Sequence, residues 1–537
     1  MNVIATPEGT RDRLFSQCRD LRAVQGKLIH LFREMGYAEI STPEVEYYDL
    51  FLQSGNPIPQ EAMMKIVDRS GKLMVMRPDC TAPIARVAAT KLKNEPLPQR
   101  LYYNETVFRS GAAHRGGSSE IPQCGIELLG AGGIQADVEA VSLAVEALAA
   151  VCPQGFHIEL GHAGLFRTLA GQMEMSDTQI EEMRELIEGK HFAALDEFLL
   201  PYRDKSAYAL LSRLSRLFGG VEVLEEAEAL IGPRKELTYL RELYEALKAA
   251  GCGAHVRFDL GLVHQIDYYT GVVFRGYARG AGASVLSGGR YDNLLGAFGR
   301  SAPAIGFAVY ADLVTSENTV QPSEARLRLA LTKGRLQDKT VALLEQVGLD
   351  CSPVKDPGRR LIHRLPNYPL DAVLAKAPDV ITYVEHGVCD LGVVGKDTIL
   401  ERGESPFYEV LDLGFGKCRF ALAVKKGSDF YGTYKTRRIA TKYPNVARKF
   451  FEDKGMDVEI IKIEGSVELA PILGLADAIV DIVETGATLK ENGLEPIEDV
   501  APVSARLIVN TAAMKLKKTE ILDFIGKCQA GLEGTGC

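Results

Sequence analysis

Apolar residues recur with two different periods along this chain, and each change of period marks a unit. In RLRLALTKGR, Leu327, Leu329 and Leu331 alternate and the run breaks at Gly334, as a strand leading into a turn does. Arg19 to Met35 carries helical spacing, whereas ISTPEVE and LYYNETVFR read as strands. From about Leu165 to Gly251 the pattern is nearly all helical, as in EEMRELIEGKHFAALDEFL and ELTYLRELYEALKAA. Strand patterns return at VRFDLGL and GVVFRGY, so the helical stretch is expected to interrupt a mostly β framework as an insertion or cap. Further on, VCDLGVVG (388–395), RRIATKY (437–443), DVEIIKIEG (457–465) and DAIVDIV (477–483) read as buried strands. NVARKFFEDKG and VELAPILGLA between them read as helices, and the alternation predicts open α/β architecture. The strand ARLIVN (505–510) is placed to return the chain to a first lobe, giving two lobes and a cleft.

Length and composition bound the picture. A chain of 537 residues is too long for one core. SENTVQPSEA (316–325) is polar and aperiodic and reads as a linker, which separates 1–315 from 326–537. No apolar run approaches the ~20 residues of a membrane span, and MNVIATPEGTRDRLF has no apolar signal core. A cytoplasmic protein with its ten cysteines as thiols is expected. With no CxxC and no HExxH, no dedicated metal site is expected. The net charge of −9 disfavours nucleic acid as a partner.

The strongest chemical signal is DAIVDIVETGATLKENG (477–493), an apolar strand ending in Asp481 and Glu484 and followed by Thr485-Gly486-Ala487-Thr488. Small residues let backbone N–H groups close on an anion, and the following helix start adds positive potential. Carboxylates beside such a loop repel a bare phosphate but suit a sugar's vicinal hydroxyls or a bound Mg²⁺. A sugar phosphate fits this pattern; a plain βα turn with capping threonines is the competing reading. LTKGR sets Lys333 and Arg335 around Gly334 at a strand end, where open α/β folds bind ligands. GVVGKD, with Lys396, resembles a phosphate loop, but Asp397 stands where a P-loop needs Ser or Thr. Glu464, Gly465 and Ser466 open another strand–turn–helix junction. Arg359, Arg360 and Arg364 form a basic cluster, suited to a triphosphate or to solvent.

The N-terminal part has its own pocket signal. In LVHQIDYYTGVVF (262–274), Asp267, Tyr268 and Tyr269 are able to line a small polar site, although adjacent tyrosines also serve as core.

Taken in order, LRLALTKGRL, DVITYVEHGVCDLGVVGKD, RIATKYPN and EGSVELAPILGLADAIVDIVETGATLKENGL resemble the short form of ATP phosphoribosyltransferase over 326–515. The resemblance implies attack of adenine N1 of ATP on phosphoribosyl pyrophosphate, the first step of histidine biosynthesis. Mg²⁺ would ride on the substrate, with Asp481 or Glu484 as auxiliary ligands. Thr485 to Thr488 would take the 5-phosphate, Asp481 and Glu484 the ribose hydroxyls, and Lys333 and Arg335 pyrophosphate or ATP phosphates. Gly334, Arg360, Lys396 and Glu464–Ser466 join this substrate-binding set. TPEGTRD, MRPDCTAPIAR, NETVFRSG, IPQCGIELLG, IDYYTGVVF and SGGRYDNLLGAFG resemble histidyl-tRNA synthetase over about 5–315. That implies a class II synthetase-like α+β fold with an antiparallel sheet, usually dimeric.

Its histidine pocket maps onto Asp79 and Thr81 for the amino group, with Gln123 and Glu127 nearby. Tyr268, Tyr269 and Tyr291 would surround the imidazole, and Arg109 would meet carboxylate or phosphate. The family's catalytic arginine is His264 here, a nucleotide-stacking arginine is Leu313, the loop after Arg109 is rearranged, and the anticodon-binding domain is replaced. The combination resembles the synthetase-like regulatory subunit of short-form ATP phosphoribosyltransferases, fused to its enzyme, with histidine as inhibitor and self-association through both halves. Two other readings stay open at this point: a histidine sensor joined to a small-molecule binding module, and a protein that still charges tRNA.

Overall fold

The computed structural model describes residues 6–53, 58–110, 118–263, 268–315, 326–403, 407–432 and 435–533. The chain divides into two compact units, Met1–Pro322 and Ser323–Cys537. The expectations placed on His264, Asp267, the loop 111–117 and the linker 316–325 lie outside the described residues.

In the N-terminal unit, nine strands among the described residues form one sheet. Their order is Ala38–Glu39, Gln99–Phe108, Glu120–Leu129, Ala304–Tyr310, Leu286–Arg290, Val272–Ala278, Phe156–His162, Val256–Asp259, Phe218–Gly219. Pairing is antiparallel except that Ala38–Glu39 runs parallel to its neighbour and Val256–Asp259 runs parallel to Phe156–His162. The two-residue period of Glu120–Leu129 sorts its side chains between two cores. Cys124, Ile126 and Leu128 join the core that includes Leu28 and Phe32 of helix Ser16–Glu34 and the apolar face of helix Gly133–Val151. Leu129 faces the other way, with Ile84 and Ala85 of helix Thr81–Ala89, and the same parity puts Gln123 and Glu127 on that face.

The stretch ISTPEVE is a strand only at its end, Val45–Tyr47. Pro43 supplies no ladder N–H, and the Arg77 guanidinium takes the carbonyl of Thr42 at 2.6 Å instead. The helical stretch forms as its periodicity predicts, from Ala163–Ala170 to Lys235–Ala249, broken by the short pair Phe218–Gly219. Helix Asp177–Glu188 opens on a reciprocal capping box between Ser176 and Gln179. A buried ion pair, Lys190 Nζ to Asp259 at 2.7 Å, ties this stretch to strand Val256–Asp259.

The C-terminal unit has two mixed sheets. The first runs Ile362–Arg364, Leu370–Ala375, Leu327–Thr332, Leu391–Gly395, Ala505–Asn510, Phe407–Asp412, and the second Val458–Lys462, Arg437–Thr441, Ala478–Val483, Cys418–Lys425, Leu494–Val503. The chain passes between them at 413–417 and at Ser504. ARLIVN does return to the first sheet, antiparallel to Leu391–Gly395 and Phe407–Asp412. Two expectations need correction. Val458–Lys462 is an edge strand with no fully buried residue, since only one neighbour and one helix cover it. VELAPILGLA contains just the four-residue helix Leu469–Ile472, because Pro471 cannot extend a hydrogen-bonded run and Gly474 turns the chain at φ 77°.

Candidate active site and ligand pocket

The parallel strands of the C-terminal unit point their carboxyl ends at loops that carry the polar residues. In the first lobe, Leu327–Thr332 ends at Lys333 and Gly334, whose φ of 94° turns the chain into helix Arg335–Gln346. In the second lobe, Ala478–Val483 ends at Glu484 and Thr485, and Gly486, left-handed at φ 77°, starts helix Ala487–Glu491. Lys333, Gly334, Arg335, Glu484, Thr485, Ala487 and Thr488 are all exposed. The structure joins the two lobes at one of these positions: Arg335 Nη1 lies 3.4 Å from Glu484 Oε2. A second bridge runs from the Tyr443 hydroxyl, donating to Asp397 Oδ2 at 3.2 Å. Burial raises the Asp481 carboxyl above the ordinary range. Its own strand's Ile482 N–H and the Lys442 ammonium work against that rise, and the Glu468 charge adds to it.

Other expected ligands are engaged elsewhere. Lys396 donates to the buried Glu409, which Arg506 also approaches at 3.4 Å, so the ammonium is part of a charge network beneath the interlobe crossing. Arg506 continues to Asp412 at 3.1 Å, and Asp412 accepts from the Ser504 hydroxyl. Glu464 pairs with Lys462 at 2.8 Å, which holds its carboxyl below the ordinary range. Gly465 and Ser466 lie in the exposed turn that follows. Arg364 Nε lies 3.6 Å from Asp371, and Arg359 and Arg360 are exposed before the edge strand. Lys442, just past Arg437–Thr441 at the same end of the sheet, was not singled out from sequence; a lone lysine in RRIATKY carries no signal beyond its place after a strand.

In the N-terminal unit, Glu127 is the centre. It is 2% exposed, accepts from the Thr81 hydroxyl at 2.8 Å and from the Tyr291 hydroxyl, and burial raises its carboxyl to about 8. The rings of Tyr268 and Tyr291 stack with centroids 5.5 Å apart, and Tyr269 meets Tyr268 edge-on at 5.2 Å. Thr81 also hydrogen-bonds the Tyr268 phenol. Asp79 accepts from the Ala82 N–H at 3.0 Å at the start of helix Thr81–Ala89, and its charge is felt by Glu127 and Tyr268. Arg109 Nε donates to the Pro78 carbonyl at 3.0 Å, beside Asp79. Gln123 is buried on the Glu127 strand, paired between Glu105 and Tyr310. The structure thus brings all eight expected residues to one face of the sheet or its adjoining loops.

It adds Tyr103, which faces Glu127 and Asp79, and the glycines that make room. A Cβ at Gly306 would stand 1.9 Å from Glu127 Oε2, and one at Gly125 would stand 2.5 Å from the Tyr103 hydroxyl. Glycine inside a strand is the signal that a close approach is needed, and it was readable in IPQCGIELLG. Leu313 packs at the edge of the main core.

The histidyl-tRNA synthetase family model matches residues 9–314, and the ATP phosphoribosyltransferase model matches 376–530. An ATP phosphoribosyltransferase of Clostridium kluyveri is 62% identical over 206 residues, which is 38% of this chain and 94% of that protein. An ATP phosphoribosyltransferase regulatory subunit of Clostridium acetobutylicum is 41% identical over 312 residues, 57% of this chain and 77% of that protein. The chain belongs to both families, fused end to end. Its C-terminal unit is an ATP phosphoribosyltransferase catalytic domain, the first-step enzyme of histidine biosynthesis, and its N-terminal unit is of the regulatory-subunit kind. A crystal structure of an ATP phosphoribosyltransferase regulatory subunit/histidyl-tRNA synthetase from Bacillus halodurans superposes with TM-score 0.54 at 31% identity, covering 70% of this chain and 93% of that one. Among the described residues, no helix is long and apolar enough to cross a membrane.

Proposed function

We propose that the phosphoribosyltransferase unit binds phosphoribosyl pyrophosphate on the Thr485–Thr488 loop, and that histidine held around Glu127 restrains its turnover. Transfer forms the bond from adenine N1 of ATP to the ribosyl anomeric carbon. The bond from that carbon to the pyrophosphate oxygen breaks, and pyrophosphate leaves with the electron pair. Such a displacement is governed by positioning and by stabilising the departing charge. The threonine hydroxyls and backbone N–H groups of the loop are donors and suit the 5-phosphate, and Gly486, with no side chain, leaves the backbone open to it. Asp481 and Glu484 face the ribose hydroxyls, and Lys333 and Arg335 face the pyrophosphate or ATP phosphates. Mg²⁺ suits a pyrophosphate, whose charge it neutralises. It would enter on the substrate, and Asp481 and Glu484 are the carboxylates that would help to hold it.

The observation that carries this reading is the approach of Arg335 to Glu484 across the lobes, which brings the cationic loop and the phosphate loop to one cleft. The test is turnover of ATP and phosphoribosyl pyrophosphate with Mg²⁺, followed by product absorbance; no product with excess substrates sinks it.

For regulation, the support is the Asp79–Thr81–Glu127–Tyr268–Tyr291 cluster in a unit related to regulatory subunits. The amino group would meet Asp79 and Thr81, the imidazole would lie against the tyrosines, and Arg109 would take the carboxylate. Leu313 at the edge of the core, where the resemblance would place a nucleotide-stacking arginine, favours sensing over tRNA charging. The protein acts as a cytoplasmic homo-oligomer without nucleic acid or membrane partners. Calorimetric titration with histidine checks the pocket, and sedimentation checks the assembly.

A further inference from the structure

Behind the tyrosine pocket lies a charged cluster that the functional reading has not used. Asp137, on helix Gly133–Val151, is fully buried, and Arg290, at the end of strand Leu286–Arg290, is nearly so. Arg290 Nε donates to Asp137 Oδ1 at 2.8 Å, and its second terminal nitrogen reaches the same oxygen. The other Asp137 oxygen accepts the hydroxyl of Tyr239, which belongs to helix Lys235–Ala249 of the helical insertion. Arg290 also donates to Asp292 at 3.0 Å and to the Ala131 carbonyl at 3.3 Å. Thr270 clamps the far side: its N–H donates to the Arg290 carbonyl at 2.7 Å, and its hydroxyl accepts the Asp292 N–H at 3.0 Å. Tyr291 lies between the two clamped residues Arg290 and Asp292, and Tyr269 directly precedes Thr270. From the insertion side, Arg167 donates to the Tyr269 carbonyl at 2.7 Å.

A buried carboxylate with one guanidinium and one phenol is costly to disturb, because removing a partner leaves the charge incompletely satisfied. The backbone that presents Tyr291 to Glu127 is therefore anchored through Asp137 to a helix of the insertion. We propose that Tyr239, Asp137 and Arg290 are positioning residues for the histidine pocket, through which the docking of the helical insertion sets the pocket's affinity. This rests on the reading that the pocket binds histidine.

The test uses the full-length chain. Tyr239→Phe removes only the hydroxyl and is expected to raise the histidine Kd about tenfold, the loss of a charge-assisted hydrogen bond. Uninhibited kcat and both KM values are expected to stay at the wild-type level. Thr270→Ala, on the opposite side of Arg290, is expected to weaken histidine in the same direction. A role in stability alone would lower the melting temperature of Tyr239→Phe and leave its histidine Kd within twofold of wild type; that result overturns the proposal. A wild-type chain that binds no histidine overturns the proposal and the regulatory reading together, whereas binding that both variants retain overturns the proposal alone.

Discussion

Glu127 offers the sharpest measurement. Burial raises its carboxyl from 4.5 to about 8 despite the hydroxyls of Thr81 and Tyr291, so near pH 7 it is mostly protonated. Histidine brings an ammonium group, and a cation beside a buried carboxyl favours the charged form. Binding then expels close to one proton from Glu127 at pH 7, about half a proton at pH 8 and almost none above about pH 9. By linkage, the affinity must rise with pH, by up to tenfold for one whole unit and about 1.4 kcal/mol. The expected result is a histidine Kd that falls about fivefold from pH 7 to 8 and about tenfold by pH 9, where it levels. That interval lies above the titration of the free imidazole. Titrations in two buffers of different ionisation enthalpy should show about one proton released near pH 7. Glu127→Gln keeps the shape and both hydroxyl partners but has no proton to lose, so its weaker binding should be flat over the same interval. A wild-type Kd independent of pH, or an equal slope in Glu127→Gln, refutes the argument.

The same group predicts a stability trend. Its folded carboxyl titrates above the unfolded one, so the folded state keeps a proton that the unfolded state has lost. Stability of the empty N-terminal unit should therefore fall as pH rises from about 4.5 to 8, and Glu127→Gln should blunt that fall in urea melts. Gly306→Ala drives a Cβ into Glu127 and the Ile126 carbonyl; histidine sensitivity should be lost, with about 1–3 kcal/mol of destabilisation from overpacking, read by titration and melting. Thr488→Ala should raise the KM for phosphoribosyl pyrophosphate about fivefold, the worth of one hydrogen bond, and a normal KM would mean the loop is misassigned. Lys396→Ala should lower stability by about 3 kcal/mol, because it strips a partner from buried Glu409; a raised substrate KM at unchanged melting temperature would instead restore Lys396 as a ligand.

Much of the fold was legible because each unit keeps one period over long stretches. The alternation in LRLALT and the apolar run in DAIVDIV each become a strand, and the helical spacing of 165–251 becomes an insertion. Expectations failed where a local pattern met a neighbour that sequence does not display. ISTPEVE has strand composition, yet Arg77, distant in sequence, occupies the carbonyl that a partner strand would have taken. DVEIIKIEG has the β-branched residues of a strand but lies at an edge, and edge position is a property of the sheet.

The two sites were legible to different depths for a related reason. Loop residues such as Lys333, Thr485 and Thr488 stay exposed with little packing to satisfy, so the structure leaves available the chemistry that the sequence displays. Lys396 and Glu464 have the right chemistry and sit at the right strand ends, but Glu409 and Lys462 already hold them. A charge in a motif is a candidate ligand only while no closer counter-charge claims it, and that competition is settled by packing. In the N-terminal pocket the reverse holds. Glu127, Thr81 and the tyrosines hydrogen-bond or stack on one another, and this mutual satisfaction makes the cluster recognisable as built. Tyr291 in turn keeps its place because the Arg290 before it is locked to buried Asp137, a partner far away in sequence.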